Sequence, residues 1–458
     1  MRLKEVMSTS QKLLIDFGST FTKVVVIDLE KEAVVTRSQA NSTVSTDATL
    51  GLKEAVQKAV GESVNDLDSD EYLASSSAAG GLRMICSGFV PDFSSEAAAR
   101  VALGAGAKVV GTFSHKLTTS EIKKIRDLNP DIILLAGGTD GGNSEVVLHN
   151  AKMVAHSPGL DAHVLFAGNK DTHDDIQQIF SLAKKPVLFS ENVLPEIGKL
   201  NPDPCNSQIR EVFIKHIVKT KGIREDVLMP TPLAVLNAAK LLAEGLPGES
   251  GLGDLLVIDV GGSTTDVVSI GKQRPADSRT IIRGLPEPYA KRTVEGDLGL
   301  RYGLEKILEI ATSDRTDIDD ELIRYTDFVS DTPKLPSNDI EKSFETRLAQ
   351  VAVREALERH VGKIEVIYTP AGEITYQYGK DLTAVRNVIG TGGPTVFSPE
   401  PRKILQAVLS SSNSPQFLKP RQPRFWVDQY YILYAIGLLS SAFPRQAFRI
   451  MRKCLKEV

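Results

Sequence analysis

The chain has 458 residues, 41% of them hydrophobic and 24% charged, with a formal net charge of −4. That length suits two or three domains with ample core, and the balanced charge argues against a global pull toward nucleic acid or an anionic membrane. Cys86, Cys205 and Cys454 are odd in number and widely spaced, which argues against a zinc ribbon or disulfide scaffold and for a reducing cytoplasm. Met1 to Gln11 lacks the apolar core of a signal peptide, and no run approaches the ~18–20 apolar residues of a membrane span.

Residues 13–28 and 33–40 read as strands of a first sheet, and 51–61 as a helix. Small residues 74–81 read as a flexible turn before a strand over 82–88. Helices at 94–104 and 119–127 then alternate with strands at 107–111 and 131–136, as in a compact insertion with parallel strands. The alternation continues with strand 163–167, helix 172–182, strand 186–189 and helix 206–218. A helix over 231–244 has Pro232 in its first turn and Gly245 past its end. Segments 330–340 and 410–424 read as surface loops, and the basic charge of the second as a solvated face. Strands are expected at 364–369, 374–378 and 385–389, a helix-like segment at 399–409, and an apolar helix at 426–442 followed by a short basic one.

One pattern occurs twice. Ile15-Asp16-Phe17-Gly18-Ser19-Thr20-Phe21-Thr22-Lys23-Val24-Val25 aligns without gaps on Ile258-Asp259-Val260-Gly261-Gly262-Ser263-Thr264-Thr265-Asp266-Val267-Val268. Each copy reads as strand, tight turn, strand: a hairpin whose turn offers N–H groups and hydroxyls to an anion. The carboxylate before each turn, Asp16 or Asp259, suits a metal or its waters; as a bare turn residue it would only shape the hairpin. Two such hairpins facing each other would hold a metal-bound polyphosphate from both sides. Lys23 is either a solvent-facing strand residue or a cation for a β- or γ-phosphate. Its counterpart Asp266 either orients water or metal, or caps a strand.

Gly390-Thr391-Gly392-Gly393-Pro394 follows a strand, and its glycines allow close approach of a flat or anionic ligand. Gly137-Gly138-Thr139-Asp140-Gly141-Gly142 follows strand 131–136, where a βα turn holds either a ligand or a close-packed contact. No GxxxxGK[ST] loop, GxGxxG fingerprint, paired metal-spaced histidines or Gly-x-Ser-x-Gly elbow is present. Asp171-Thr172-His173 begins like a cobalamin-ligating Asp-x-His-x-x-Gly signature, but Ile176 stands where glycine is required.

The order IDFGST (15–20), the Ala-rich helix 231–244, VIDVGGSTTDV (257–267), VIGTGGP (388–394) and the apolar stretch 431–443 resembles the actin/hexokinase/heat-shock-chaperone ATPase superfamily. More narrowly, DIILLAGGTDGGNSEVVLHNAKMVA (131–155), MPTPLAVLNAAKLL (229–242) and WVDQYYILYAIGLL (426–439) resemble the glutamate mutase accessory family, of the MutL or GlmL type. The resemblance implies an α/β actin-like fold, with two ribonuclease-H-like lobes around a nucleotide cleft. It divides the chain into a first lobe over 12–230 with an α/β insertion over about 41–230, a second lobe over 231–425, and C-terminal helices, 426–458, returning to the first lobe. It implies ATP and Mg²⁺ as ligands, with Asp16 and Asp259 holding the metal and its waters. Gly18, Ser19, Thr20, Thr22, Gly261, Gly262, Ser263 and Thr264 would wrap the phosphates, with Lys23 on the β/γ-phosphate. Gly390, Gly392 and Gly393 would face the adenosine. Asp266 joins Asp16 and Asp259 as a catalytic candidate, and Asp140, Glu145 and Asp266 are the candidates to orient water. The implied function is an ATP-driven reactivating chaperone for an adenosylcobalamin-dependent mutase, with slow turnover, a protein partner, and no role for nucleic acid or membrane. The alternative is a small-molecule kinase of the sugar/acetate type.

Overall fold

The strand–turn–strand pattern that occurs twice in the sequence folds twice, once in each of two units. The computed structural model describes residues 7–18, 20–43, 48–61, 72–77, 82–217, 227–313, 319–331, 334–370, 372–412 and 414–458. The chain divides into Met1–Ala234 with Gly284–Pro286, and Val235–Arg283 with Glu287–Val458.

The first unit contains strands β1 (Gln11–Phe17), β2 (Phe21–Asp28), β3 (Ala33–Asn41), β4 (Tyr72–Ser76), β5 (Arg83–Gly88), β6 (Lys108–Ser114), β7 (Ile132–Leu135), β8 (His163–Phe166), β9 (Leu188–Phe189) and β10 (Val227–Pro230). They form two sheets, ordered β10-β4-β1-β2-β3 and β6-β5-β7-β8-β9. In the first sheet β1 pairs antiparallel with β2 and parallel with β4. The β-branched run Val24-Val25-Val26-Ile27 of β2 is buried, as a central strand requires. Residues 74–76 of the expected flexible turn instead belong to β4, while 78–81 lie outside the described residues. Helix α1 (Ala48–Val60) covers this sheet, and Ser38 Oγ donates to Ala55 O at 2.5 Å.

The second sheet is the expected insertion, and all its pairings are parallel. Its helices α2 (Glu96–Gly104), α3 (Thr119–Asp127), α4 (Glu145–Ala155) and α5 (His173–Leu182) are followed by α6 (Asp203–Val212). Both faces of the sheet are covered, so its central strand β7 is apolar throughout. Met84, Cys86, Ile132, Leu134 and Leu165 point into one core cluster, and Ile85, Ile133, Leu135, Val164 and Phe166 into another. Helix α3 starts where Thr118 and Glu121 form a reciprocal capping box, and buries Ile122 and Ile125.

Helix α7 (Thr231–Glu244) has its first four residues in the first unit and the rest in the second. The second unit then runs through β11 (Gly245–Leu246), β12 (Glu249–Ser250), β13 (Leu255–Val260), β14 (Thr265–Ile270), β15 (Thr280–Arg283), β16 (Ala290–Glu295), β17 (Lys363–Thr369), β18 (Gly372–Tyr378), β19 (Asn387–Thr391), β20 (Arg424–Asp428) and β21 (Leu455–Glu457). Its main sheet has the order β16-β14-β13-β19-β20-β21. Strand β13 pairs antiparallel with β14 and parallel with β19, and β19 pairs parallel with β20. The sequence of pairings repeats that of β3-β2-β1-β4-β10, so each unit carries the ribonuclease-H-like sheet of the actin-like ATPase fold.

Helices α8 (Leu304–Ser313), α9 (Asp320–Asp331) and α10 (Asp339–His360) pack on this sheet, with Leu348, Ala352 and Leu357 joining Leu256 and Ile258 in one core cluster. The short helices α11 (Gly393–Val396) and α12 (Pro401–Gln406) precede α13 (Leu433–Ser440) and α14 (Pro444–Cys454). The C-terminal segment differs from expectation: residues 426–428 belong to strand β20 rather than to the start of an apolar helix, and 426–458 group with the second unit. The physical cause is the strand ladder: β20 completes the main sheet beside β19, and β21 folds back antiparallel on β20.

Two buried polar groups brace the second unit. Lys380, 1% exposed, donates from Nζ to Tyr289 O (2.8 Å), Ser269 O (3.2 Å) and Pro288 O (3.2 Å). His360 is fully buried, its ring nitrogens 2.8 Å from Ser269 Oγ and 2.9 Å from Thr293 Oγ1. The three cysteines are free and buried. Among the described residues no helix is long and apolar enough to cross a membrane.

Candidate functional site

Both hairpin turns close in the same way. Gly18 N–H donates to Phe21 O at 3.1 Å, and Gly261 N–H donates to Thr264 O at 2.9 Å. A Cβ at residue 18 would lie 2.6 Å from Phe21 O, so the first turn tolerates only glycine there. Residue register sorts the side chains by face. Asp16 lies opposite Lys23, and Phe17 opposite Thr22; in the second copy Asp259 lies opposite Asp266, and Val260 opposite Thr265. Directly opposed residues share a face, so each acidic residue stands with its partner strand's charged residue. Thr22 and Thr265 stand with the apolar residues on the other face.

In the first unit Asp16 is 1% exposed and held by three donors. Lys23 Nζ reaches Oδ2 at 2.9 Å, while Thr231 Oγ1 at 2.5 Å and Ser75 Oγ at 3.4 Å reach Oδ1. Lys23 therefore neutralises Asp16 rather than standing out to solvent. Thr231 opens α7 and Ser75 lies on β4; the sequence signal for the first was the Thr-Pro helix start, and none marked the second. Thr20 is exposed, Gly18 is buried, and Ser19 lies outside the described residues. Thr22 is fully buried toward Gly51 of α1, and its hydroxyl has no hydrogen-bond partner. That side chain faces the packing side of the strand, away from the turn.

In the second unit the loop Gly261, Gly262, Ser263 and Thr264 is half-exposed. It rests on the turn 298–303, which the sequence reading did not single out. Leu300 N–H donates to Gly261 O at 3.0 Å, and Arg301 and Tyr302 donate to Gly262 O at 2.8 and 3.1 Å. Arg301 is anchored by Glu345 at 2.5 Å, and Tyr325 donates to the same carboxylate at 3.0 Å. Burial raises the Glu345 pKa, with Arg301 and Tyr325 opposing it.

Asp259 is half-buried and lies beside Gly392, since β13 pairs with β19 with Asp259 opposite Thr391. Gly392 has φ +87°, and a Cβ there would meet Val260 O at 2.1 Å and Asp259 Oδ1 at 2.7 Å. Only glycine fits that left-handed position and that approach. Gly390 is buried, facing Thr395 and Leu405, so it packs the loop from beneath; Gly393 is half-exposed. Asp428, fully buried at the end of β20, accepts from Thr391 Oγ1 at 3.1 Å and from Leu433 N–H at 2.8 Å. This carboxylate ties the loop to the start of α13, a link invisible at 37 residues' separation.

Asp266 accepts from Arg292 Nε at 2.9 Å and Nη2 at 2.6 Å, and from Thr264 Oγ1 at 2.8 Å. Of the other water-orienting candidates, Asp140 accepts from Lys170 N–H and Asn192 Nδ2 in the insertion. Glu145 is exposed at the start of α4 and paired with Lys116, which lowers its pKa. Neither bonds to Asp16. Among the described residues no group of three or more His, Cys, Asp or Glu could hold a metal alone. Asp259, with Oδ1 against the glycine loop, fits a Mg²⁺ held chiefly through waters and phosphate oxygens. Both oxygens of Asp16 accept hydrogen bonds.

The chain is 43% identical over 465 residues to "Protein MutL" of Clostridium tetanomorphum, covering 97% of this chain and 99% of that protein. Among solved structures it is similar to nucleotide-free acetone carboxylase, with 14% identity, 94% of this chain and 71% of that chain covered, and a TM-score of 0.42. It is also similar to the ethanolamine utilization protein EutJ of Carboxydothermus hydrogenoformans, with 12% identity, coverages of 98% and 94%, and a TM-score of 0.27. A third similarity is to xylulose kinase of Bifidobacterium adolescentis, with 14% identity, coverages of 97% and 93%, and a TM-score of 0.29. TM-scores this low leave the fold to the sheet topology given above. The MutL protein family model matches residues 12–455, and the chain belongs to that family.

Proposed function

We propose that this protein is an Mg-dependent ATPase that reactivates an adenosylcobalamin-dependent mutase of the glutamate mutase type, promoting release of damaged cobalamin. The observation that carries the ATPase half is the repeated hairpin, with the same Gly N–H to carbonyl closure in both units. Family membership supports the partner half. In this reading Gly18, Ser19 and Thr20 of the first turn and Gly261 to Thr264 of the second receive the phosphates through N–H and hydroxyl donors. Asp259 orients the waters of Mg²⁺, which when bound neutralises developing phosphate charge. Arg292 fixes Asp266, and Asp266 in turn fixes the Thr264 hydroxyl, so this pair positions the loop. Lys23, Thr231 and Ser75 hold the Asp16 carboxylate in place. Gly392 and Gly393 let the adenosine approach the backbone. Nucleotide turnover does its work through different affinities of the ATP and ADP states for the mutase.

The test is ATP hydrolysis with Mg²⁺, alone and with a panel of mutases inactivated by hydroxocobalamin. Slow hydrolysis stimulated by one mutase, with its activity restored once adenosylcobalamin is added, is the expected result. Hydrolysis indifferent to every mutase would overturn the partner assignment and favour a small-molecule kinase.

A further inference from the structure

The insertion carries a cleft of its own, of about 920 Å³, where the chain leaves the C-terminal ends of β7, β8 and β9. Ligands of open parallel sheets bind outside the carboxyl ends of the strands, and this cleft lies on that side, beyond the switch point between β5 and β7. The walls are fixed by hydrogen bonds. Asn192, 3% exposed, donates to Gly138 O at 3.0 Å and Asp140 Oδ1 at 2.9 Å, and accepts from Leu194 N–H at 3.0 Å. Lys170 N–H adds a bond to Asp140 Oδ1 at 3.1 Å.

Three polar groups of the lining stand out among the described residues for what they lack. The Lys170 ammonium has no carboxylate partner among the described residues. Ser190, 7% exposed, has a buried Oγ with no hydrogen-bond partner beyond the Cys205 thiol. His173 likewise has a buried, unpartnered Nε2, and its ring is held against Phe189 at 4.9 Å and Phe166 at 5.3 Å. Unmade bonds of this kind are costly, and they recur where a ligand completes them. The same lining holds two carboxylates, Asp140 and Glu191. A plain anion would be repelled by these, and a plain cation by Lys170. A molecule with both charges satisfies the whole lining.

We infer that this cleft binds a small zwitterion of the amino-acid class, its carboxylate received by Lys170, His173 and Ser190, its ammonium by Asp140 and Glu191. Calorimetry on the full chain without nucleotide tests this apart from the ATPase reading. The probes are single L-amino acids, then the strongest binder's des-amino acid and decarboxylated amine, and inorganic phosphate. One amino acid should bind saturably, with both half-molecules and phosphate at least about tenfold weaker. Lys170→Met, at an exposed residue, and His173→Gln should each weaken binding about tenfold. The inference is overturned if no amino acid binds below about 10 mM, if phosphate or a half-molecule binds as well, or if both variants bind like the wild type.

Discussion

Replacing Lys23 by methionine keeps most of the side chain's length and removes its charge. Asp16 is then left 1% exposed with two hydroxyl donors, of which Ser75, at 3.4 Å, is weak. Removing one member of a buried ion pair costs about 3–5 kcal/mol; with Lys23 13% exposed, roughly 3 kcal/mol is expected. Asp16→Asn in the same background removes the stranded charge and should recover about 2 kcal/mol; the coupling read from the double-mutant cycle is that recovery plus the cost of Asp16→Asn in the wild-type background. Urea unfolding followed by far-UV circular dichroism at neutral pH reads these differences. Because the pair is shielded from solvent, the loss should persist at high salt. A Lys23→Met protein as stable as wild type but unable to bind ATP would refute the reasoning: Lys23 would then serve the nucleotide and not Asp16.

Asp259→Ala should abolish ATP hydrolysis while leaving unfolding within about 1 kcal/mol of wild type, because it removes a half-buried carboxylate and little core volume; normal turnover in a phosphate-release assay would reject the site. Lys380→Met strips three carbonyls of one donor and should cost about 3 kcal/mol in urea unfolding. His360 is held neutral, its pKa well below 6.5 through burial and the nearby Lys291 and Lys380. The unfolded chain binds that proton as pH falls below 6.5 and the folded chain does not, so stability is lost toward acid. Relative to His360→Asn, the wild type should lose up to about 1.4 kcal/mol per pH unit below pH 6.5; parallel stability curves would contradict this.

The two hairpins were legible because each combines an apolar strand, a carboxylate and a turn within eleven residues, and helix 231–244 because its end signals, Pro232 and Gly245, are local. The C-terminal run WVDQYYILYAIGLL hid a strand and a helix together. Burial of every residue from 433 to 439 removes the helical periodicity that would separate the two. Helices α8, α9 and α10 were not singled out, and α10 carries apolar residues around much of its circumference. Counting hydroxyls in the hairpins merged two faces, which is why Thr22 was grouped with the turn residues although it points toward α1. The supports of the carboxylates were the least visible. Thr231 meets Asp16 across 215 residues, and Arg292 meets Asp266 across 26; the Thr-Pro start marks Thr231 as a helix end but not as a partner of Asp16, and nothing local marks Arg292.

The buried cysteines give the molecule built-in clocks. Cys86 and Cys205 sit in the first unit and Cys454 in the second. Burial lifts the Cys205 and Cys454 pKa values to about 12 and that of Cys86 higher still, so a thiol reagent finds almost no thiolate in the closed fold. Alkylation must wait for local opening. Mass spectrometry of which cysteine has reacted, and when, would then time the opening of each unit separately in one tube.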